Sequence, residues 1–382
     1  MSKWNLVSLK EIVNNLDNKR VPLNSSQREL KESKPLYPYI GANNIMGYID
    51  EYIFDEKILC VAEDGGSWGY NQRCAVLYNE KVWVNNHAHV ITAKENLVLE
   101  YLMYYLNHTD LNLYINGATR GKLTKSSLES IQIPLPPIPQ QQKIANILDA
   151  ADAVRQNDKA LIAKYDELTQ ALFLDMFGDV RKNEKGWKQI ALEKICDVGS
   201  SRRVFVDELV EEGVPFYRGT EIGQMSINEN INPSLFITSV HYENLKKETG
   251  IPKIGDLLMP SICPDGRIFE VTNDNPFYFK DGRVLWIKVN KSNINSVYLK
   301  KHLKAIFAVD YSKIASGTTF AELKIFALKK LILHYPPIDL QYQFAERVAV
   351  IEEQKAIAQK SLEKSEELFN SLLQKAFKGE LV

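Results

Sequence analysis

Cysteine is scarce in this chain of 382 residues. Cys60, Cys74, Cys196 and Cys263 are scattered with no Cys-x-x-Cys pair, which argues against a disulfide framework or a thiolate zinc site and suits a reducing cytosol. No stretch approaches the roughly 20 apolar residues that a membrane span needs, and Met1-Ser2-Lys3-Trp4-Asn5 carries no apolar signal core. An excess of one charge is also missing. There are 47 basic and 48 acidic residues, so the global charge does not announce a partner such as nucleic acid, and any such role must rest on local patches. Low-complexity sequence is absent too. At 45% hydrophobic and 25% charged, the chain has the composition of a folded protein, and its length suits two or three domains.

Catalytic signatures are equally hard to find. No Gly-x-x-x-x-Gly-Lys-[Ser/Thr] loop is present. Asn275-Pro276-Phe277-Tyr278 lacks the second proline of an adenine methyltransferase signature, and a turn leading into a strand accounts for it. Pro264-Asp265 is followed by Glu270-Val271-Thr272, with threonine where a nuclease needs lysine, and Asp281-Gly282-Arg283 reads as a hairpin turn. His87 and His89 alternate as two metal ligands could, but no third ligand accompanies them. Neither a catalytic nor a metal site can be assembled.

What the chain does contain is a duplication. Gly117, Thr119 and Leu123 align with Gly317, Thr319 and Leu323 at an offset of 200. That offset holds through Pro136-Pro137-Ile138 and Pro336-Pro337-Ile338, Gln141 and Gln341, and Phe177 and Phe377. Trp4…Leu9…Ile12 matches Trp187…Leu192…Ile195 at an offset of 183, so the second copy carries 17 extra residues between 195 and 317. Each copy runs variable segment, proline-bounded strand, long helix.

Residues 141–178 and 341–378 lack proline, and apolar residues recur at three-four spacing, which predicts helices about 57 Å long. Helices of that length need each other as a coiled-coil pair. The variable segments read as mixed α/β. Strands are expected at 57–62, 87–91 and 283–289, and short helices at 97–106 and 297–307.

Groups suited to DNA cluster in these segments. Arginine reads guanine, asparagine and glutamine read adenine, and hydroxyls and amides hold phosphates. The first segment offers Lys19, Arg20, Asn43, Asn44, Ser67, Trp68, Asn71, Arg73, Asn85, Asn86, His87, Arg120, Lys122 and Lys125. The second offers Arg202, Arg203, Arg218, Thr220, Glu221, Arg267, Arg283, Ser316, Thr318 and Thr319. With 14 basic and 15 acidic residues in 1–139, and 20 and 17 in 186–335, specificity must come from a few placed groups.

The order of these parts resembles the specificity (S) subunit of type I restriction–modification systems. The carriers are Trp4…Leu9…Ile12, Gly117-x-Thr119…Leu123, Ile133-Pro134-Leu135-Pro136-Pro137-Ile138-Pro139-Gln140-Gln141-Gln142-Lys143-Ile144 with its long helix, and the close Leu373-Gln374-Lys375-Ala376-Phe377-Lys378-Gly379-Glu380-Leu381. The second copy departs at Asp339-Leu340-Gln341-Tyr342-Gln343. The resemblance implies an α+β tandem pseudo-twofold repeat: target recognition domains at 1–139 and 181–338, and spacer helices at 140–180 and 339–382 that pack antiparallel. It implies a non-catalytic cytoplasmic subunit. Each domain would read one half of a bipartite, asymmetric double-stranded DNA site, while the helices set the gap and dock two methyltransferase (M) subunits. S-adenosylmethionine would sit on the M subunits, and ATP and Mg on restriction (R) subunits where these join. A scaffold that binds no DNA, and a system used only for methylation, are the alternatives.

Overall fold

The computed structural model describes residues 4–32, 36–117, 120–227, 229, 231–317 and 321–382. The chain divides into two compact units, residues 1–161 with 358–382, and residues 162–357. Each therefore takes part of both long helices.

In the first unit, strands 13–15, 88–93, 58–62 and 75–78 form an antiparallel sheet in that order. A smaller sheet pairs 37–40 with 45–49 antiparallel and with 83–84 parallel. Strand 6–8 meets the proline-bounded strand 132–134. The second unit repeats this plan. Its main sheet runs 196–199, 284–289, 257–260 and 269–270; its smaller sheet runs 236–237, 214–217 and 278–279; and 188–191 pairs with 332–335. The buried run Ile58-Leu59-Cys60-Val61-Ala62 is apolar on both faces because short helix 99–108 covers one side and the smaller cluster around Ile40 and Phe54 lies on the other.

The expected short helices form as Leu99–His108 and Ser296–Ile314. Each carries a buried tyrosine that ties it to the proline-bounded strand. Tyr101 Oη donates to the Pro134 carbonyl at 2.6 Å, and Tyr298 Oη to that of His334 at 2.9 Å.

The long helices span Ile138–Phe177 and Ile338–Lys378, or about 60 Å at ~1.5 Å per residue. Both start directly after Pro-Pro, where a missing N–H costs nothing, and both stop at glycines with left-handed φ, Gly178 at 81° and Gly379 at 78°. They run antiparallel. In the first unit Asp158 accepts from Ser361 and Ser365, and Arg155 lies over the Phe369 ring. In the second, Lys355 Nζ pairs with Asp166, and Phe344 packs against Phe173 and Phe177 at centroid distances of 5.8 and 5.3 Å. Aromatic pairs of this kind add roughly 0.5–1.5 kcal/mol beyond burial.

A fully buried glutamine fixes each helix start. Gln141 Oε1 accepts from Val98 N–H at 2.8 Å, and its Nε2 donates to the carbonyls of Pro136 and Asn96. Gln341 repeats this with Asn295 N–H and the Pro336 carbonyl. The departure at 339–343 thus leaves the helix start unchanged.

The 17-residue excess is the net of several length differences, the two largest being 11 residues after strand 37–40 and 10 residues between Ile237 and Leu257 relative to Ile49 and Leu59, where helix Ser239–Thr249 intervenes. Tyr37-Pro38-Tyr39-Ile40 corresponds to Val214-Pro215-Phe216-Tyr217 at an offset of 177, but Ile49 corresponds to Ile237 at 188. The short turn at 41–44 is replaced in the second unit by a longer connection containing helix Gly219–Met225.

Candidate nucleic-acid interface

In the first unit the end of strand 58–62 turns through Asp64-Gly65-Gly66 beside the hairpin 115–123. Asp64 Oδ1 accepts from His87 Nδ1 at 2.7 Å and from Arg120 Nη2 at 3.0 Å. Asp64 is mostly covered while the Arg120 side chain is 65% exposed. Gly65 has φ 64°, and a Cβ there would lie 3.0 Å from Arg120 Nη2, so glycine is needed where the guanidinium crosses the turn.

Beneath Asp64, His87 and Arg120 lies a charged network. His89, 1% exposed, contacts Asp17 Oδ2 at 2.7 Å and the Leu123 carbonyl at 2.8 Å. Arg20 Nη1 donates to Glu63 Oε2 and the Ala88 carbonyl, both at 2.6 Å, and Lys122 Nζ reaches Glu63 Oε1 at 3.0 Å. Burial alone would raise the Asp17 pKa, but the hydrogen bond and charge of His89 hold it below the ordinary value. Burial likewise acts to raise Glu63, and Arg20 and Lys122 outweigh it. The network fixes the hairpin to the sheet.

In the second unit the comparable surface is a cleft of about 410 Å³. Arg218, Arg267, Lys280 and Arg283 line it together with Thr220 and Ser261. Arg218 is held by Glu221 at 2.5 Å, Arg267 by Asp265 at 2.8 Å, and Arg283 approaches Glu322 at 3.6 Å. Burial acts to raise the Glu221 pKa, but Arg218 brings it below the usual carboxylate value. Lys280 is exposed and has no ion-pair partner among the described residues. The replacement helix 219–225 supplies one wall.

Backbone hydrogen bonds establish which positions correspond. Glu63 N–H donates to the His87 carbonyl and Leu123 N–H to that of Glu63; Ser261 N–H donates to Arg283 and Leu323 N–H to Ser261. Asn85 N–H donates to Ile40 as Lys280 N–H does to Tyr217. His87 therefore occupies the place of Arg283, Asn85 that of Lys280, Glu63 that of Ser261, and Lys122 that of Glu322. Gly117 and Gly317 share the same left-handed turn at φ 104° and 114°. One backbone frame carries two chemically different surfaces.

The remaining sequence candidates divide by position. Asn44, Ser67 and Asn86 are exposed on first-unit loops, and Lys19 pairs with Glu56 at 3.8 Å. Asn43 sits in the 41–44 turn with its Oδ1 buried, and Asn85 is only 3% exposed, capping His87 N–H. Trp68 is buried in the core, its indole N–H donating to the Ala62 carbonyl at 3.2 Å, and its ring therefore presents no stacking face. Asn71 turns toward His108 and Asn370, and Arg73 lines a separate cleft with Asp152 and Arg155 on the long helix. Lys125 pairs loosely with Glu129. In the second unit Arg202 pairs with Glu248 and Arg203 with Asp281, both exposed, and Ser316 bridges to Glu322 through the backbone. Thr318 and Thr319 lie outside the described residues, as does Thr119. Asp64, Glu63 and Lys280 escaped the sequence reading. Asp64-Gly65-Gly66 reads as a turn, and nothing local signals that its carboxylate anchors residues 23 and 56 positions away.

The tandem fold has counterparts among known proteins. The family model described as the type I restriction modification DNA specificity domain matches twice, over residues 1–164 and 184–367. A putative type I restriction enzyme specificity subunit of Haemophilus influenzae is 29% identical over 342 residues, covering 88% of this chain and 84% of that protein. The MjaIX specificity subunit of Methanocaldococcus jannaschii is 26% identical over 324 residues, covering 76% and 71%. Among solved structures, the S subunit of the type I restriction–modification system from M. genitalium superimposes with a TM-score of 0.62 at 16% identity, over 98% of this chain and 96% of that one. A second, from work on assembly and conformational transition of the type I system, gives 0.53 at 16% identity, over 99% and 98%. With both copies matched, the chain belongs to the type I restriction–modification DNA specificity family.

Proposed function

We propose that the two units read the two unequal halves of one bipartite double-stranded DNA site, with recognition domains at 1–139 and 181–338. The observation that carries this is the pairing of a shared pattern of backbone hydrogen bonds with exchanged side chains: Glu63 and Lys122 against Ser261 and Glu322, and His87 against Arg283. A scaffold with no ligand at these loops would have no reason to place a four-cation cleft there. Arg218, Arg267, Lys280 and Arg283 suit phosphates and guanine edges in the second half-site. Near-neutral charge leaves much of the phosphate contact to partners.

The spacer helices, 140–180 and 339–382, would set the unread gap, since helices of about 60 Å can bridge groove segments one DNA turn (~34 Å) apart. They would also dock two methyltransferase subunits, one per half-site. Those subunits would carry S-adenosylmethionine and the adenine chemistry, and restriction subunits using ATP and Mg would join the same cytoplasmic complex. Exchange of residues 1–139 for the first recognition domain of another specificity subunit tests the modular reading. One half of the methylated motif should change while the other half stays; a change in both halves would defeat it.

A further inference from the structure

We infer that Asp64, Arg120 and His87 form a guanine-reading subsite, so that the first half-site contains a guanine whose major-groove edge is held by Arg120. The inference rests on the DNA-reading role proposed above. It starts from one shared oxygen. Because His87 Nδ1 lies 2.7 Å and Arg120 Nη2 3.0 Å from Asp64 Oδ1, the two nitrogens are no more than about 6 Å apart. With one base per ~3.4 Å along a strand, they face the same base pair or adjacent ones.

The chemistry favours a base over a phosphate. A free surface arginine carries a full positive charge and many rotamers, which suits a phosphate. Arg120 is different. Asp64 holds it at one nitrogen and offsets its charge, which weakens attraction to a phosphate while fixing the plane of the guanidinium. Among the described residues its other N–H donors are unpartnered, and two parallel donors match the O6 and N7 acceptors of guanine. His87 spends Nδ1 on Asp64, and its Nε2 has no partner among the described residues, leaving it for the neighbouring edge. Lys122, held by Glu63, is the adjacent cation that remains for the backbone.

The second unit has no such anchor among the described residues. Ile262 follows Ser261 where Asp64 follows Glu63, and Arg283, in the place of His87, meets Glu322 from another direction at 3.6 Å. The subsite thus belongs to one half of the recognition site. Asp64 acts as a positioning residue, since both of its contacts run through Arg120 and His87.

The test uses the assembled complex of the full chain with its methyltransferase subunits, and duplexes carrying the methylated motif with each first-half position substituted in turn. Wild type should discriminate against loss of one guanine by roughly 5- to 150-fold. Arg120→Ala should abolish that discrimination at that position alone and leave the second half-site unchanged. Asp64→Asn should relax the same position by a smaller factor while the melting temperature holds, a base-selective effect that a merely structural role would not produce. A first half-site without guanine overturns the inference. So does uniform weakening by Arg120→Ala across all sequences with a shallower salt dependence, which would mark a phosphate contact. In both cases the bipartite motif of the wild-type complex would survive, and with it the broader reading. If the wild-type complex shows no sequence preference, the broader reading fails instead.

Discussion

The carbonyl of residue 63 and the carbonyl of residue 261 each receive the N–H of a leucine from the glycine hairpin, yet the side chains at these two points differ. In the first, the side chain at that point is Glu63, tied to Arg20 and Lys122 over a buried His89. In the second it is Ser261, and the place of Lys122 is taken by Glu322, facing Arg283 and Lys324. The charge at the Lys122 position is reversed on a shared set of backbone hydrogen bonds. Duplication preserved what holds the fold: the glycine turn, the buried tyrosines and the helix-start glutamines. The loops between them diverged on their exposed faces, while single side chains such as Trp68 and Ile222 still pack into the cores. The additional segment containing helix 219–225 goes further and builds a cleft wall that the first unit does not have.

This contrast can be broken or sharpened in several ways. The largest effect is expected from the helices. Deleting seven residues from each, where Asp158 faces Ser361 and Ser365, removes about 10 Å of helix. The methylated motif should then keep both halves with a gap shorter by about two to three base pairs; loss of one half would show that the helices do more than measure. Next come the glutamines. Gln141→Ala leaves Val98 N–H and two carbonyls without partners in a buried setting and should cost about 3 kcal/mol. Gln341→Ala strands fewer groups and should cost about 2 kcal/mol. Denaturant titration checks the order, and equal costs would mean the two helix starts are energetically alike.

A smaller effect is expected from pH, and mainly in the second unit. Burial, reinforced by His334, lowers the His302 pKa to about 3. The unfolded chain, with an ordinary histidine pKa near 6.5, then binds the proton that the folded chain refuses. Stability contributed by His302 is therefore complete above pH 6.5 and is lost as pH falls toward 3, at up to ~1.4 kcal/mol per unit. In the first unit burial also lowers the pKa of His108, which is less buried than His302, while Asp17 and Glu63 weaken that unit only in more acid solution. Hydrogen exchange between pH 7 and 5 should show the second unit loosening first, and His302→Gln should flatten that response.

Much of this architecture was legible in the chain. The long helices declare themselves by their proline-free periodic runs, and the duplication by an offset that holds without a gap for sixty residues. The loop surfaces were only partly legible. Arg218, Thr220, Arg267 and Arg283 come together as a cleft, yet Trp68 turns inward and Asn71 and Arg73 face the helices. Residue type alone does not say which face of a turn a side chain takes. Asp64 illustrates the converse. Its importance comes from partners distant in sequence, and a turn-forming Asp-Gly pair carries no local mark of them.

The measurement that bears most directly on the central claim is the adenine methylome of the host with this gene present and deleted, by single-molecule sequencing. One two-part motif with a fixed gap and unequal halves should vanish on deletion, because one frame carries two different surfaces. A motif with two identical halves would contradict the account, and so would a methylome that deletion leaves unchanged in cells where the methyltransferase subunits are expressed.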